Sequence, residues 1–296
     1  MKDFKGKRAV ALGSFDGLHS GHIEVIKKAA ESGYAPTVFC INKLLPAKRL
    51  LSDSLKKKYM LNAGACEIIE QSLDDIRDMS PEQFVMDILK ERLNTAFAVC
   101  GFNYRFGKNG ASDAIELKRL CEKYGIECEI CPPVVQSGIT VSSTAIRRYI
   151  ENGEIEAANG MLGYNYTVDF AVASGRQIGR TIGVPTINQI LPSNFVSPRR
   201  GVYASYVTLK GVRYAGVTNF GVKPTIEEKD APMYETWIAG FSGSLYGKNV
   251  ETSLLRFIRD EKKFRNLDEL KGQIICDAKI SREIFDENAR AERVLY

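Results

Sequence analysis

The two histidines of the chain, His19 and His22, lie three residues apart in the segment G-S-F-D-G-L-H-S-G-H, residues 13–22. The segment follows a short apolar run that predicts a buried strand, and it precedes a helical pattern. Glycines at such a turn let the backbone approach a ligand closely, and the helix start offers unpaired N–H groups and a positive dipole end. Both imidazoles can reach one phosphate chain there. The chemistry indicated is direct transfer at phosphorus by positioning and charge stabilisation.

Two other interpretations of this turn are open. The first is a metal site, which would need further ligands, and only Asp16 is near enough in sequence to be one. The second is a purely structural interpretation, in which both histidines lie on the surface with their hydrogen bonds satisfied beside a Gly-rich turn. The chain contains neither a Walker A loop nor the G-x-G-x-x-G fingerprint. Any reaction that needs a histidine elsewhere is excluded, because the chain has no third one.

The composition excludes several classes of protein. The chain has 296 residues, 44% hydrophobic and 26% charged, which is typical of a folded protein of two domains. Its net charge of +5 suits anionic small ligands, while short basic runs such as Lys56-Lys57-Lys58 are typical of solvated surface. No apolar run reaches the roughly 18 residues of a membrane span. The seven irregularly spaced cysteines indicate reduced thiols and a cytoplasmic location.

Strands alternate with helices in the first half of the chain, and this predicts parallel β-α-β units in a Rossmann-like, doubly wound sheet. The predicted strands are 8–13, 35–41, 96–100 and 126–131, and the predicted helices are 21–32, 55–62, 81–93 and 115–124. Two further short helices, 144–152 and 154–162, are expected to pack on this domain as a linker pair.

The second half of the chain predicts strands without helices between them, which is typical of an antiparallel barrel. The predicted strands are 167–173, 202–209, 213–219, 235–239 and 251–258. A final helix begins at Asn266, which is expected to form a capping box with Glu269. We therefore predict an α/β domain over residues 1–162 and a β-barrel domain with a terminal helix over 163–296.

A second phosphate-directed motif, V-S-S-T-A-I-R-R, lies at residues 141–148. Hydroxyl groups of Ser142, Ser143 and Thr144 at a helix start would meet phosphate oxygens, and Arg147 would pair with them as a fork. A plain helix N-cap is the alternative. Together with the H-x-G-H turn, this segment resembles the S-S-T-x-I-R element of the nucleotidyltransferase superfamily.

A third motif, G-R-T-I-G-V-P-T-I-N, spans residues 179–188 in the second half. Pro185 fixes the backbone before Thr186 and Asn188, whose hydroxyl and amide oxygens suit Mg²⁺ held between phosphates. The glycines of this motif again permit close approach of a phosphate. Later motifs are N-F-G-V-K-P-T at 219–225, E-T-W-I at 235–238 and F-I-R-D-E-K-K-F at 257–264.

With these motifs in this order, the chain resembles the bacterial bifunctional riboflavin kinase/FMN adenylyltransferase (FAD synthetase) family over nearly its whole length. The resemblance implies an N-terminal nucleotidyltransferase domain that converts FMN and ATP to FAD and pyrophosphate. It also implies a C-terminal riboflavin kinase barrel that phosphorylates riboflavin with ATP, each step with Mg²⁺. The partners are then small molecules, with no nucleic acid and no membrane, and the oligomeric state stays open.

The resemblance also implies roles for individual residues. His19 and His22 would stabilise the ATP phosphates, and Glu235 would be the general base for the 5′-hydroxyl of riboflavin as it attacks the γ-phosphate. Thr186 and Asn188 would hold Mg²⁺. The residues implied to bind ATP or flavin are Gly13, Phe15, Asp16, Gly17, Gly21, Asn103, Arg105, Ser142, Ser143, Thr144, Arg147, Gly179, Arg180, Gly183, Pro185 and Arg259.

Two departures from the family pattern favour the kinase half. Asn103 stands where the family usually has Asp, and V-F-C-I-N-K at 38–43 replaces a histidine-containing segment. One alternative is therefore a riboflavin kinase with a weakened or inactive adenylyltransferase domain. Another is a non-catalytic regulator that binds flavin or nucleic acid. The retained Glu235 argues against the regulator, because a pure binding protein needs no general base.

Overall fold

The computed structural model describes residues 6–42, 48–174, 184–222 and 231–294. Within these residues two compact units form, one from 6–42 and 53–143, the other from 48–52 and 144–294.

Short strands and helices alternate along the first unit. Its strands are β1 (Arg8–Gly13), β2 (Ala35–Asn42), β3 (Glu67–Ser72), β4 (Thr95–Gly101), β5 (Arg105–Phe106), β6 (Ser112–Asp113), β7 (Glu127–Cys131), β8 (Val135–Gln136) and β9 (Ile139–Thr140). Its helices are α1 (Ser20–Glu31), α2 (Asp53–Asn62), α3 (Leu73–Ile76), α4 (Pro81–Gln83, continued by a π-helix over Phe84–Arg92) and α5 (Ala114–Lys123).

The five longer strands form a parallel sheet in the order β3-β2-β1-β4-β7. The predicted doubly wound sheet is confirmed. From β1 the chain adds strands first on one side and then, beginning with β4, on the other. In open α/β sheets, ligands bind outside the carboxyl ends of the strands at such a switch point. The ends of β1 and β4 therefore mark where a ligand of this unit is expected.

Two elements of the first unit differ from the prediction. The edge strand β3 was not predicted, because half of the residues in its sequence E-I-I-E-Q-S are exposed and it carries little apolar pattern. The predicted helix over 81–93 begins at Pro81, with Ser80 as its N-cap, but it continues as a π-helix. Leu93 N donates to Ile88 O, five residues back, at 3.0 Å.

The second unit contains two short helices, a seven-stranded sheet and a long last helix. Its helices are α6 (Ser143–Asn152), α7 (Ile155–Leu162) and α8 (Leu267–Val294). Its strands are β10 (Thr167–Val168), β11 (Val172–Ala173), β12 (Thr186–Ile190), β13 (Gly201–Leu209), β14 (Val212–Val222), β15 (Pro232–Ile238) and β16 (Glu251–Arg259).

The sheet of the second unit has the order β10-β16-β13-β14-β15-β12-β11, and all its pairs are antiparallel. The two edge strands, β10 and β11, are consecutive in the chain and are separated only by residues 169–171. The sheet must therefore curl until its edges approach each other. This confirms the predicted antiparallel barrel followed by a terminal helix.

The second unit differs from the prediction at two strands. The predicted single strand over 167–173 is wrong, because the chain changes from one sheet edge to the other within it. Residues 186–190, where no strand was predicted, form the strand β12. Residues 144–162 cluster with the second unit, and Asn159 Nδ2 in α7 donates to Leu254 O of β16 at 2.9 Å. The domain boundary near residue 163 stays a prediction.

The helix α8 packs against β13, β14 and β16. At its start Asn266 Oδ1 accepts from Glu269 N at 2.9 Å, as the predicted capping box requires. The reciprocal bond differs, because Glu269 Oε2 accepts from Arg265 N, one residue earlier than a capping box would have it. A buried ion pair between Arg259 of β16 and Asp277 attaches the middle of α8 to the sheet.

Candidate active sites

The turn after β1 lies at the switch point of the first unit and has an unusual backbone. Phe15 (φ 49°) and Leu18 (φ 38°) adopt left-handed conformations, which strain residues other than glycine by about 1–3 kcal/mol each. Both side chains are completely buried, and this burial offsets the strain. Phe15 is a predicted ligand contact, but its buried ring leaves only its backbone for a ligand. Gly17 (φ 70°) takes the third left-handed position without strain.

The rings of His19 and His22 stack at the end of this turn, with centroids 3.7 Å apart and 19° between their planes. His19 is the N-cap residue of α1 and is only 9% exposed. Within the described part of the chain, the buried Nδ1 atoms of both rings have no hydrogen-bond partner. Gly21 gives the rings room, since a Cβ there would lie 3.3 Å from the His19 ring and the ring would have to shift.

The two imidazoles are held in their neutral form. Burial lowers the pKa of His19 to about 4, although the Asp16 carboxylate acts in the opposite direction. Burial also lowers the pKa of His22 well below its usual value, and the nearby His19 and Lys56 lower it further. At neutral pH the pair therefore offers hydrogen-bonding nitrogens at a helix N-terminus without carrying charge.

Replacing His19 by Gln should flatten the dependence of stability on pH. The folded-state pKa of His19, about 4, lies below the unfolded value of 6.5, so the unfolded chain binds more protons between these values. The wild-type protein is fully stabilised above pH 6.5 and loses about 2 kcal/mol on acidification to about pH 5. Calorimetric unfolding without nucleotide should show a drop in Tm that is several degrees smaller for His19→Gln. Parallel pH profiles for the two proteins would contradict the assignment.

The predicted serine motif joins the same turn. Ser143 Oγ donates to Asp16 O at 2.7 Å, and Ser142 precedes it at the end of the first unit. The next motif residues, Thr144 and Arg147, belong to the second unit. There Arg147 Nε donates to Lys48 O at 2.6 Å. The contacts of these four residues with ATP stay predictions.

The segment G-F-N-Y-R-F-G follows β4 at the neighbouring strand end. β1 and β4 are paired in register, with Leu12 opposite Cys100, so their carboxyl ends share one edge of the sheet. Asn103 and Arg105 are both exposed there. The structure thus brings this segment, Gly13 and the histidine turn to the same edge, as the predicted ATP and flavin site requires.

Lys56 is a residue that sequence reasoning missed. It belongs to a lysine run expected on solvated surface, yet its Nζ donates to Ser14 O at 2.9 Å, directly after β1. Its neighbours Lys57 and Lys58 are exposed. Helical periodicity was the available signal, since Lys56 lies one turn before the buried Met60 and therefore faces the sheet.

The second candidate site lies on β12 and β15. Asn188 pairs with Glu235 and Thr186 with Trp237 in the antiparallel register. Thr186 Oγ1 donates to Glu235 Oε1 at 3.1 Å. Because alternate strand residues share a face, these four side chains lie on one face of the sheet, opposite to the buried Thr236. Pro185 is exposed just before β12.

A cavity of about 330 Å³ adjoins this face, between α8 and the strands β14 and β15. Ala215, Val217 and Trp237 line its sheet side, and Lys279 and Arg282 line its helix side. Trp237 is two residues from Glu235 on the same face, about 7 Å along the strand. Trp237 therefore connects the cavity with the strand face that carries Glu235.

The remaining predicted contacts are placed differently or lie outside the described residues. Arg259, a predicted cofactor contact, uses Nε and Nη2 to bind the Asp277 carboxylate at 3.0 and 2.6 Å. Its Nη1 donates to Asp260 O at 2.9 Å. Its contact with a cofactor stays a prediction. Gly179, Arg180 and Gly183 lie outside the described residues, as does the last residue of the segment 38–43.

Comparisons with known proteins match each half of the chain separately. A family model described as FAD synthetase matches residues 1–145, and one described as riboflavin kinase matches residues 162–285. The bifunctional riboflavin kinase/FMN adenylyltransferase of Bacillus subtilis is 32% identical, over 94% of this chain and 92% of its own length. The chain belongs to this bifunctional family. The resemblance inferred from the motifs is thereby confirmed.

Other relatives also match this chain over nearly its whole length. The enzyme of the same name from Listeria monocytogenes is 31% identical over 94% of this chain and 92% of its own length. The Escherichia coli K12 protein is 29% identical over 93% of this chain and 92% of its own length. The FAD synthetase match contains the histidine turn, and the riboflavin kinase match contains Thr186, Glu235 and Trp237.

A solved structure described as a macrolide-efflux protein from Streptococcus pneumoniae has the same fold. Its TM-score is 0.82 and its identity 27%, over 93% of this chain and 94% of that one. Of the helices in the described part of this chain, none combines the length and the apolar character that a bilayer-spanning segment needs.

Proposed function

We propose that this chain carries out both reactions of its family and that each reaction takes place in one unit. Family membership assigns it riboflavin kinase and FMN adenylyltransferase activity, with ATP and flavins as substrates. One observation supports the assignment of one reaction to each unit: each matched region contains its own phosphate-directed site. These are the histidine turn in the first unit and the Thr186–Glu235 pair in the second.

In the second unit, the proposed catalytic base is Glu235. Its carboxylate takes the proton of the riboflavin 5′-hydroxyl as that oxygen attacks the γ-phosphorus of ATP, and ADP leaves with the electrons of the broken bond. The hydrogen bond from Thr186 holds Oε1 of this carboxylate in place. The cavity beside Trp237 has the volume and apolar wall of a site for the flavin ring.

Thr186 and Asn188 suit the proposed role of holding Mg²⁺. Their side-chain oxygens lie at alternate positions on one face of β12, and the Thr186 proton is already donated to Glu235, which leaves oxygen lone pairs for a cation. Mg²⁺ is commonly held by one or two protein oxygens together with substrate phosphates. When bound, it would neutralise phosphate charge.

In the first unit, the proposed reaction is attack of an FMN phosphate oxygen on the α-phosphorus of ATP. The new P–O bond joins FMN to the adenylyl group, and pyrophosphate leaves with the electron pair of the broken bond. The stacked pair His19 and His22 would hold the phosphates through nitrogens that have no other partner among the described residues. This arrangement stabilises charge without a covalent intermediate.

Incubation with riboflavin, ATP and Mg²⁺, followed by chromatography, tests the proposal. Both FMN and FAD are expected. FMN without FAD would leave only the riboflavin kinase, and neither product would favour the non-catalytic regulator.

Replacing His22 by Ala should separate the two activities. FAD formation from supplied FMN should fall by about 10²-fold, because one preorganised group at the phosphates is lost. FMN formation from riboflavin should not change, since Glu235 belongs to the other unit. Lys27→Ala, an exposed position on the same helix, is the control and should affect neither rate. Equal loss of both products in His22→Ala would contradict the assignment.

A cytoplasmic location and the absence of a nucleic-acid partner remain part of this proposal. They rest on the irregular cysteine pattern and the scattered basic residues.

A further inference from the structure

The ammonium group of Lys56 lies at the carboxyl edge of the parallel sheet. Its Nζ is 2.9 Å from Ser14 O, just after β1, and 3.1 Å from Cys40 Sγ in the neighbouring β2. The side chain is half-buried, whereas the next residue, Lys57, is exposed and pairs with Glu70 at 3.2 Å. Lys56 thus occupies a defined position beside the turn that follows β1.

The turn itself lacks the positive charge that a triphosphate requires. Residues 13–22 include one carboxylate, Asp16, and no lysine or arginine. Both histidines are neutral at pH 7, because burial lowers the pKa of each. A helix N-terminus supplies only about half a positive charge. A full cation close to the turn therefore supplies positive charge that no side chain within the turn carries.

Lys56 is close enough to act on this turn. Ser14, whose carbonyl oxygen accepts from Lys56, is itself a residue of this turn, and the ammonium charge also lowers the pKa of His22. The described acceptors, a carbonyl oxygen and a thiol sulfur, account for two of its three N–H groups. Sulfur is a weak acceptor, so a phosphate oxygen would form the stronger bond.

We propose that Lys56 is a further catalytic residue for adenylyl transfer: its ammonium binds the ATP phosphates beside His22 and stabilises the charge on the departing pyrophosphate. The inference rests on the proposed function of the first unit. The carbonyl of Ser14 anchors the ammonium, so that its position is set before ATP binds.

Lys56→Met, Lys56→Arg and the matched control Lys57→Met test this role. In Lys56→Met, kcat/KM for ATP in FAD formation should fall by about 10²-fold, and Lys56→Arg should recover most of it. The control should stay within about twofold of the wild type, because Lys57 pairs with the exposed Glu70. Riboflavin kinase activity, measured in the same samples, should be unchanged in all three variants because its site belongs to the other unit, and recovery by Lys56→Arg shows that the first unit is folded.

A second readout does not depend on activity. The chain contains only two histidines, both in the turn, so NMR of labelled histidine side chains reports on this site alone. Titration with inorganic pyrophosphate should shift these signals, and Lys56→Met should weaken the affinity by about tenfold.

The two readouts separate failure of this inference from failure of the proposed function. Unchanged pyrophosphate affinity in Lys56→Met, or FAD formation within about twofold of the wild type, would overturn the role of Lys56. Equal losses in Lys56→Met and Lys56→Arg with unchanged pyrophosphate affinity would show a purely structural role and overturn it too. If the wild type makes no FAD but Lys56→Met weakens pyrophosphate binding, the adenylyltransferase proposal fails while the phosphate contact stands.

Discussion

Replacing Glu235 by Gln is expected to reduce FMN formation by about 10²- to 10⁴-fold. The amide keeps the size of the carboxylate, and the Thr186 hydroxyl can still donate to its oxygen, so the geometry on β12 and β15 is retained. What is lost is the ability to take the proton of the riboflavin hydroxyl. The rate should therefore fall while the substrate remains bound.

Riboflavin affinity provides the decisive comparison for Glu235→Gln. Trp237 is the only tryptophan of the chain and lines the cavity beside α8, so quenching of its fluorescence reports flavin binding. The dissociation constant should stay within about threefold of the wild type. Glu251→Gln, another half-buried strand carboxylate in the same sheet, is the matched control and should keep full turnover. Wild-type turnover in Glu235→Gln would rule out Glu235 as the base.

Replacing Asp277 by Asn is expected to destabilise the second unit by about 3 kcal/mol. Asp277 is almost completely buried and binds the Arg259 guanidinium through both oxygens, with Gln273 Nε2 donating to Oδ1 at 2.9 Å. Loss of the negative charge leaves the cation of Arg259 uncompensated. Its side chain is 15% exposed, so some solvation remains, and we expect the lower end of the range for buried pairs.

Urea unfolding followed by Trp237 fluorescence measures this effect in the second unit. The double variant Arg259→Met/Asp277→Leu should recover part of the stability, because it removes both charges together. Arg256→Gln breaks the exposed pair with Glu156 and should cost less than about 1 kcal/mol. Equal effects of Asp277→Asn and Arg256→Gln would contradict a special contribution of the buried pair.

The Arg259–Asp277 pair also lies next to the proposed flavin site. Asp277 is followed directly by Ala278 and Lys279, which line the cavity. The pair therefore holds the helical wall of the proposed flavin site against the sheet.

Much of the fold could be predicted from local patterns. The boundaries of β1 match the predicted strand, and the two units show the expected parallel and antiparallel sheets. Buried strands and amphipathic helices are recognisable because their apolar period is set by their own geometry. The edge strand β3 and the division of 167–173 escaped prediction, since both depend on which strand lies alongside.

The candidate sites also contain one part that local sequence predicts and another that depends on strand pairing. The histidine turn was recognisable because its glycines, histidines and helix start are contiguous in sequence. The pairing of Thr186 with Glu235 follows from strand register, which joins residues 49 positions apart.

By itself, the sequence determined the family, the order of the two folds and the turn that carries both histidines. Only the tertiary structure decided that Lys56 faces that turn and that the guanidinium of Arg259 holds α8. The physical reason is that a long cationic side chain takes its role from the acceptors that folding places around it. For Lys56 these are Ser14 O and Cys40 Sγ, and for Arg259 the carboxylate of Asp277.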